Sequence, residues 1–296
     1  MSPTSPIIVL DSGLGGLTVV RALREVMPLE DILYFADTAR LPYGTKTAAT
    51  VTTFMQQIVG YLRPYDPKHV LIACNTATAL ALPSIRMTFS DVPMSGVIEP
   101  GARAAVEAAG AKPAPIIGVI ATDATIRSRA YERAIIRRRR HARLLLNPTP
   151  LLVPIIEEGR RGDDPLVELA LKQYLRPMVD RGMDVLVLGC THYPILKTAI
   201  ANGVGPGVRV IDSAEQCAQD VARRLRARGL ARQPASLADG EPPSGTLRAF
   251  VTDDPARFKN LTWRLLGVAI DTPTWVSSDE LYHPQQAQPV RISVPA

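Results

Sequence analysis

Two stretches of this chain share one pattern: a short apolar run rich in β-branched residues, then a small residue, a cysteine and small polar side chains. The first is VLIACNTATAL around Cys74, and the second is VLVLGCTHYPIL around Cys190. Apolar runs of this length are typical of buried parallel strands, and the polar residues mark the strand ends. The pattern predicts two thiols at the ends of two equivalent strands.

The succession of strand, polar turn and amphipathic helix recurs along the chain and predicts an α/β fold with mainly parallel sheets. The expected strands lie at 7–10, 32–35, 70–73, 94–97, 116–120, 144–146, 185–188, 209–211 and 247–251. Ligands bind at the carboxyl ends of such strands, so the polar turns are expected to line pockets.

The two halves of the chain also resemble one another. Asp11 precedes Cys74 by 63 positions, and Thr122 precedes Cys190 by 68. We therefore expect an approximate duplication of an α/β unit, which gives two pseudo-symmetric α/β domains.

At 296 residues and 46% hydrophobic content, the chain can form one large or two moderate globular domains. Much of the net charge of +6 lies between Arg137 and Arg143 and between Arg223 and Arg232. Such runs are usually solvated helix faces, and only 5% of the residues are aromatic. A nucleic-acid partner for the Arg137–Arg143 patch is therefore the weaker alternative.

Three cysteines with no C-x-x-C pair argue against a disulfide framework and a ribbon-type zinc site. Cys217 falls on the apolar stripe of a helix and is expected in the core. No apolar run approaches the roughly 18 residues that span a bilayer, and the start MSPTSP lacks the form of a signal peptide. We expect a cytoplasmic protein with reduced thiols and no membrane partner.

Local signals predict several boundaries. Asn75 and Thr76 are good N-cap residues for the helix after Cys74, and Pro83 is expected to shorten or kink it. Ser213 and Gln216 have capping-box spacing at the start of a later helix. Residues 229–245 are rich in Pro, Ala, Gly and Ser and are expected to form a loose loop. The Pro- and Gln-rich tail beyond Asp271 is expected to be poorly ordered or draped on the surface.

A cysteine between a buried strand and a helix has a physical reason to be reactive. The helix N-terminus and its free N–H groups stabilise a thiolate over a thiol. An unperturbed thiol, with a pKa of about 8.5, is only a few per cent ionised at neutral pH, so a shift of about one unit matters.

Three chemistries fit a pair of such cysteines. A redox pair would close a disulfide, but Cys74 and Cys190 lie 116 positions apart. A Cys-His hydrolase would use one cysteine with His192 and leave the second cysteine unexplained. A two-base racemase needs a thiolate on one face of a substrate Cα–H and a thiol on the other, so it uses both.

The motifs DSGLGGLTV, DTARLPYG, ACNTAT, ATDATIRS, VPIIEEG, LGCTHYPIL and VIDSAE occur in this order between residues 7 and 215. In these motifs the sequence resembles the glutamate racemases of the cofactor-independent aspartate/glutamate racemase family. The resemblance implies interconversion of L- and D-glutamate without metal or organic cofactor, and a supply of D-glutamate for peptidoglycan. It also implies a homodimer.

The same resemblance implies two α/β domains with the active site in the cleft between them. We expect residues 1–98 and 210–272 in the first domain, residues 99–209 in the second, and residues 273–296 as a tail.

The resemblance also assigns roles to individual residues. Cys74 would take the proton from the D-isomer and Cys190 from the L-isomer. Asp11 beside Cys74 and His192 beside Cys190 would assist, and Glu157 would be an acid that supports these groups without touching the substrate. The substrate would be held by residues of the polar turns: Asp11, Ser12, Pro42, Tyr43, Gly44, Asn75, Thr76, Thr122, Thr125 and Thr191.

For several of these residues a purely structural role is the alternative. Asp11 and Ser12 can serve as caps of the first helix, Thr125 as another cap, His192 as a core histidine and Glu157 as a structural acid. The chain also has Thr149 where many relatives carry a further cysteine.

Alternatives to glutamate racemisation stay open at this point. Aspartate or another acidic amino acid is an alternative substrate, because one methylene changes selectivity by only about 1–3 kcal/mol. A non-catalytic two-domain clamp, or a nucleic-acid-binding protein, is the alternative from a different class.

Overall fold

The computed structural model describes residues 1–233 and 244–282. Its strands are short and mostly buried. Numbered in chain order, they are β1 (Ile7–Asp11), β2 (Ile32–Ala36), β3 (His69–Ile72), β4 (Met94–Gly96), β5 (Ile116–Ala121), β6 (Arg143–Pro148), β7 (Val185–Gly189), β8 (Arg209–Ile211), β9 (Leu247–Val251) and β10 (Thr274–Trp275).

The strands form two separate sheets. The first has the spatial order β10-β9-β2-β1-β3-β4, and the second has the order β6-β5-β7-β8. Each pairing between these strands is parallel. The predicted α/β fold with mainly parallel sheets is confirmed. We call each sheet with its packed helices the first and the second α/β unit.

Helices connect the parallel strands and cover both faces of the sheets. They are α1 (Leu17–Val26), α2 (Ala48–Leu62), α3 (Asn75–Leu80), α4 (Leu82–Thr88), α5 (Ile98–Ala108), α6 (Asp123–Arg127), α7 (Ala130–Arg138), α8 (Leu152–Glu157), α9 (Pro165–Val179), α10 (Lys197–Val204), α11 (Ala214–Ala227), α12 (Pro255–Leu266) and α13 (Ser278–Tyr282).

Every sheet face has its own hydrophobic core. Along β1, Ile7 and Val9 pack with α1 and α11, whereas Ile8 and Leu10 pack on the opposite face with α2. In the second unit, α8, α9 and α10 pack on one face of the sheet, and α5 and α7 pack on the other. Strands buried on both faces read as continuous apolar runs, which is why they were visible in the sequence.

The chain leaves the first unit and later returns to it. The entry at α5 begins at Ile98, whose side chain packs with the second sheet. The return comes later than residue 210, because β8 pairs with β7 as far as Ile211. β9 then pairs with β2, so the C-terminal part completes the first sheet.

The segment after Asp271 differs from the sequence expectation. Thr274 and Trp275 pair with the end of β9, and Val276 and Leu281 are buried. Of the two expected alternatives, the poorly ordered segment is wrong for 274–282, because strand pairing and buried apolar side chains attach that segment to the first unit. The rest of the predicted tail, 283–296, and most of the predicted 229–245 loop, 234–243, lie outside the described residues.

The helix boundaries test the other local predictions. Pro83 stands in the first turn of α4, directly after the break that separates it from α3, so the predicted interruption is confirmed. Cys217 is buried in the core, as predicted. The prediction of a capping box at Ser213 is wrong. Ser213 is the N-cap of α11, but its side chain makes no capping hydrogen bond.

The arginine run between Arg137 and Arg143 is largely engaged by its own chain. Arg137 and Arg138 pair with Glu99, and Arg139 donates to the carbonyls of Gly110 and Lys112. Within the described residues, no helix combines the length and apolar character needed to cross a membrane.

Candidate active site

The carboxyl ends of strands from both sheets meet at one narrow cavity. Cys74 follows β3 of the first unit, and Cys190 follows β7 of the second. The lining residues are Ser12, Pro42, Tyr43, Gly44, Cys74, Asn75, Thr76, Thr122, Val153, Cys190, Thr191 and His192. With the exception of Val153, all of them are site residues proposed from the sequence. The remaining proposed residues, Asp11, Thr125 and Glu157, lie behind this lining.

Cys74 caps the helix that follows it. Its Sγ accepts from the backbone N–H of Ala77 at 3.4 Å and donates to Ser12 Oγ at 3.8 Å. The sequence prediction that Asn75 or Thr76 caps this helix is therefore wrong. Because the thiol takes that role, the side chains of Asn75 and Thr76 are free to make contacts across the cavity.

The environment of Cys74 favours the protonated thiol. Burial, followed by the charge of Asp11, raises the pKa of Cys74 to about 12, and the bonds from Ala77 and to Ser12 offset this only in part. The sequence had suggested a lowered pKa from the helix N-terminus. Desolvation outweighs the effect of the helix N-terminus on the pKa of Cys74, because a buried thiolate has lost its hydration.

Cys190 stands at the head of a hydrogen-bonded chain. Its Sγ lies 3.7 Å from His192 Nδ1, and His192 Nε2 lies 2.6 Å from Glu157 Oε1. Burial opposes the imidazolium, but the bonds to Cys190 and Glu157 prevail and raise the pKa of His192 well above its ordinary value. His192 thus lies within hydrogen-bonding distance of both the Cys190 thiol and the Glu157 carboxylate.

A glycine makes room for this chain. A Cβ atom on Gly13 would lie 2.8 Å from Glu157 Oε1 and 3.3 Å from His192 Nε2. The Gly13 carbonyl accepts a hydrogen bond of 2.5 Å from the buried hydroxyl of Tyr34. Residues 12–16 between β1 and α1, which we call the glycine turn, therefore lie directly against the His192–Glu157 pair.

Asp11 bonds to the glycine turn and to the second unit. Its Oδ2 accepts from Gly16 N at 2.9 Å and Gly13 N at 3.3 Å, and its Oδ1 accepts from Thr191 Oγ1 at 3.2 Å. Burial raises its pKa against the lowering effects of His192 and these bonds. Among the described residues, Ser12 rather than Asp11 is the side-chain hydrogen-bond partner of the Cys74 thiol.

Three threonines join the two units beside Cys74. Thr76 Oγ1 shares hydrogen bonds with Thr122 Oγ1 at 2.8 Å and with Thr125 Oγ1 at 3.1 Å. Thr122 also caps α6 through Thr125 N at 3.4 Å. Thr76 and Thr122 line the cavity, whereas Thr125 supports them from behind.

The loop that carries Pro42, Tyr43 and Gly44 is held by Asp37, a residue that the sequence analysis missed. The Asp37 carboxylate accepts from the Tyr43 hydroxyl, from Arg40 Nε at 2.7 Å and from Thr252 Oγ1 at 3.0 Å. Its position directly after β2 is the signal that could have revealed it, since Asp11 lies at the same edge of the sheet as the last residue of β1.

Residues 17–221 match the family model of the Asp/Glu/hydantoin racemases, a range that covers more than half of the chain and contains both cysteines of the cavity. This chain belongs to that family. It is 44% identical to a glutamate racemase of Syntrophus aciditrophicus, over 88% of this chain and 93% of the relative.

Solved structures of this racemase family share the fold. The glutamate racemase of Francisella tularensis, in complex with D-glutamate, is 35% identical, with a TM-score of 0.83 over 94% of this chain and 99% of the other. The Thermus thermophilus glutamate racemase, in complex with β-chloro-D-alanine, is 43% identical, with a TM-score of 0.79 over 95% and 100% of the two chains.

The cavity brings together several kinds of acid/base and polar side chains. In the part of the chain that the structure describes, no cluster of three or more His, Cys, Asp or Glu side chains could hold a metal ion. The racemase cavity instead offers two thiols, one histidine–carboxylate pair, and several hydroxyl and amide groups.

Proposed function

We propose that this chain is a glutamate racemase that uses Cys74 and Cys190 as its two acid/base groups. The observation that carries the proposal is that these thiols follow strands of two different sheets and line the same cavity. A racemase needs a proton acceptor on one face of the substrate Cα and a proton donor on the other. Two like residues supply both roles, and they exchange them when the reaction runs backwards.

Each turnover removes one proton from the substrate Cα and returns one proton to it. When L-glutamate is the substrate, the Cys190 thiolate takes the Cα proton, and the electron pair is delocalised into the substrate carboxylate. The Cys74 thiol then delivers its proton to the opposite face and becomes a thiolate. The product is D-glutamate, and the reverse reaction begins from the Cys74 thiolate.

The surroundings of the two cysteines suit these roles differently. The pKa of Cys74, raised to about 12, fits a group that waits as the proton donor. The ammonium group of a bound amino acid would bring a positive charge into the cavity and favour the Cys74 thiolate when the D-isomer is the substrate. On the other side, His192 and Glu157 can take up and return the proton of Cys190.

The polar lining offers anchors for the substrate. Hydroxyl and amide donors suit carboxylates, and hydroxyl oxygens suit an ammonium group. The proposed anchors are Ser12, Asn75, Thr76, Thr122 and Thr191, with the Pro42–Tyr43–Gly44 loop. A relative with the same fold is solved in complex with D-glutamate, which supports glutamate as the ligand.

The experiment that tests the reaction is incubation of the purified chain with D-glutamate in deuterated water. We expect optical rotation to fall to zero while the α-proton signal disappears from the NMR spectrum. If neither signal changes with D-glutamate, the proposed function is wrong. Aspartate, which lacks one methylene, is the parallel substrate, and a larger kcat/KM for aspartate would reassign the specificity.

The cellular setting follows from the same proposal. A cytoplasmic glutamate racemase supplies D-glutamate for peptidoglycan, and we propose a homodimer as the working assembly. Rescue of a bacterium that requires added D-glutamate would support the cellular role. Light scattering coupled to size-exclusion chromatography measures the mass of the assembly, and a monomer at assay concentrations would contradict the dimer.

A further inference from the structure

We propose that Tyr131 is a positioning residue that orients the Asn75 amide towards a substrate carboxylate. The inference rests on the proposed function and extends it to a residue that does not line the cavity. It predicts that a single hydroxyl group on the second unit controls how tightly the first unit binds the amino acid.

Asn75 has one satisfied and one unsatisfied polar atom. Its Oδ1 accepts a hydrogen bond of 2.7 Å from the Tyr131 hydroxyl, whereas its Nδ2 has no hydrogen-bond partner. The residue is only 3% exposed and lines the cavity. A buried amide N–H without an acceptor is unfavourable, so this donor is suited to a ligand that brings an acceptor.

The hydroxyl of Tyr131 binds the Oδ1 end of the Asn75 amide and leaves the Nδ2 end available to a ligand. A buried hydroxyl proton needs an acceptor, and Asn75 Oδ1 is the acceptor within reach. If the amide were turned over, Nδ2 would face the Tyr131 hydroxyl and the cavity would receive Oδ1, which repels a carboxylate. Burial also raises the pKa of Tyr131, so the hydroxyl keeps its proton.

The ring of Tyr131 is fixed by close packing in the second unit. The residue is 2% exposed in the core between α5, α7 and the sheet. A Cβ on Gly189, the residue before Cys190, would lie 3.2 Å from the ring, and one on Gly101 would lie 3.2 Å from the hydroxyl. The Tyr131–Asn75 bond therefore connects the strand end of Cys190 with the residue that follows Cys74.

A double-mutant cycle tests the inference. Tyr131→Phe removes only the hydroxyl, and we expect a 5- to 10-fold rise in KM for both L- and D-glutamate with a smaller change in kcat. Asn75→Ala is expected to raise KM at least as much. In the Asn75→Ala background, Tyr131→Phe should cause no further change, because its effect passes through the amide.

The controls separate positioning from general damage. Tyr61→Phe removes the hydroxyl of another buried tyrosine, in α2, and should leave KM unchanged. If Tyr131→Phe has no effect, or has the same effect with and without Asn75, the inference is wrong although the racemase function stands. If the unaltered chain does not act on glutamate, the proposed function fails and this inference fails with it.

Discussion

Thr191 Oγ1 donates a hydrogen bond of 3.2 Å to Asp11 Oδ1. Thr191 directly follows Cys190 at the end of β7, and Asp11 ends β1, which lies beside β3 in the first sheet. The bond therefore joins the strand ends of the two α/β units at the point where the two thiols share a cavity.

Loss of either thiol should abolish racemisation and leave one-sided proton exchange. We expect Cys74→Ala and Cys190→Ala each to lower racemisation by at least about 10³-fold, because one face of Cα loses its acid/base group. Cys74→Ala should still exchange the α-proton of L-glutamate with deuterium without inversion, and Cys190→Ala that of D-glutamate. Chiral chromatography with mass spectrometry measures both. Exchange with the opposite preference would reverse the assignment of faces.

Glu157→Gln should shift the pH profile of activity. The carboxylate helps to raise the pKa of His192, so its loss should lower that pKa. If the protonated imidazole supports turnover, activity is lost as pH rises through its pKa, and the basic limb of kcat/KM moves to lower pH in the variant. Glu158→Gln is the matched control, because Glu158 is exposed and pairs with Arg160. Identical profiles for both variants would exclude this role of Glu157.

The same change should affect stability with a defined sign. A histidine whose pKa is raised in the folded state contributes stability that is complete below its unfolded pKa of about 6.5 and is lost as pH rises through the folded value. Glu157→Gln should therefore cost most stability at acidic pH and progressively less at alkaline pH. Urea denaturation of both proteins from acidic to alkaline pH measures the difference in their free energies of unfolding. A stability cost of Glu157→Gln that grows with pH would contradict the prediction.

Gly13→Ala should reduce turnover without unfolding the chain. The added Cβ would press on Glu157 and His192, and a misplacement of about 1 Å in a catalytic group can cost about 10²-fold in rate. Gly207→Ala is the control, because a Cβ there would meet no atom within 4 Å. We expect kcat to fall in the first variant only. Equal kcat in the two variants would show that the pair tolerates the added methyl group.

Lys68→Met should destabilise the first unit far more than the same substitution of an exposed lysine destabilises the chain. The side chain of Lys68 is fully buried, pairs with the buried Glu30 and donates to the Pro3 carbonyl at 2.7 Å. Removal of one partner leaves a buried charge uncompensated, at a cost of about 3–5 kcal/mol. Lys197→Met breaks the half-exposed pair with Asp212 and should cost less than about 1 kcal/mol. Chemical denaturation compares them, and similar midpoints would refute the difference.

Local signals in the sequence predicted much of the architecture. The strands were recognisable because burial on both faces requires continuous apolar runs. The turns were recognisable because polar residues follow those apolar runs. The pairing of Thr274 and Trp275 with β9 was missed, because a two-residue strand leaves no periodicity to read.

The residue types at the strand ends also predicted most of the cavity lining, since parallel strands bring their carboxyl ends to one edge. By itself the sequence determined the two sheets, the strand ends and the two cysteines. Only the tertiary structure decided which groups meet across the units. It placed His192 between Cys190 and Glu157, and it made Cys74 the N-cap of α3. It also brought the Tyr131 hydroxyl into a hydrogen bond with Asn75. These contacts depend on how the two sheets pack together, and local sequence patterns do not specify that packing.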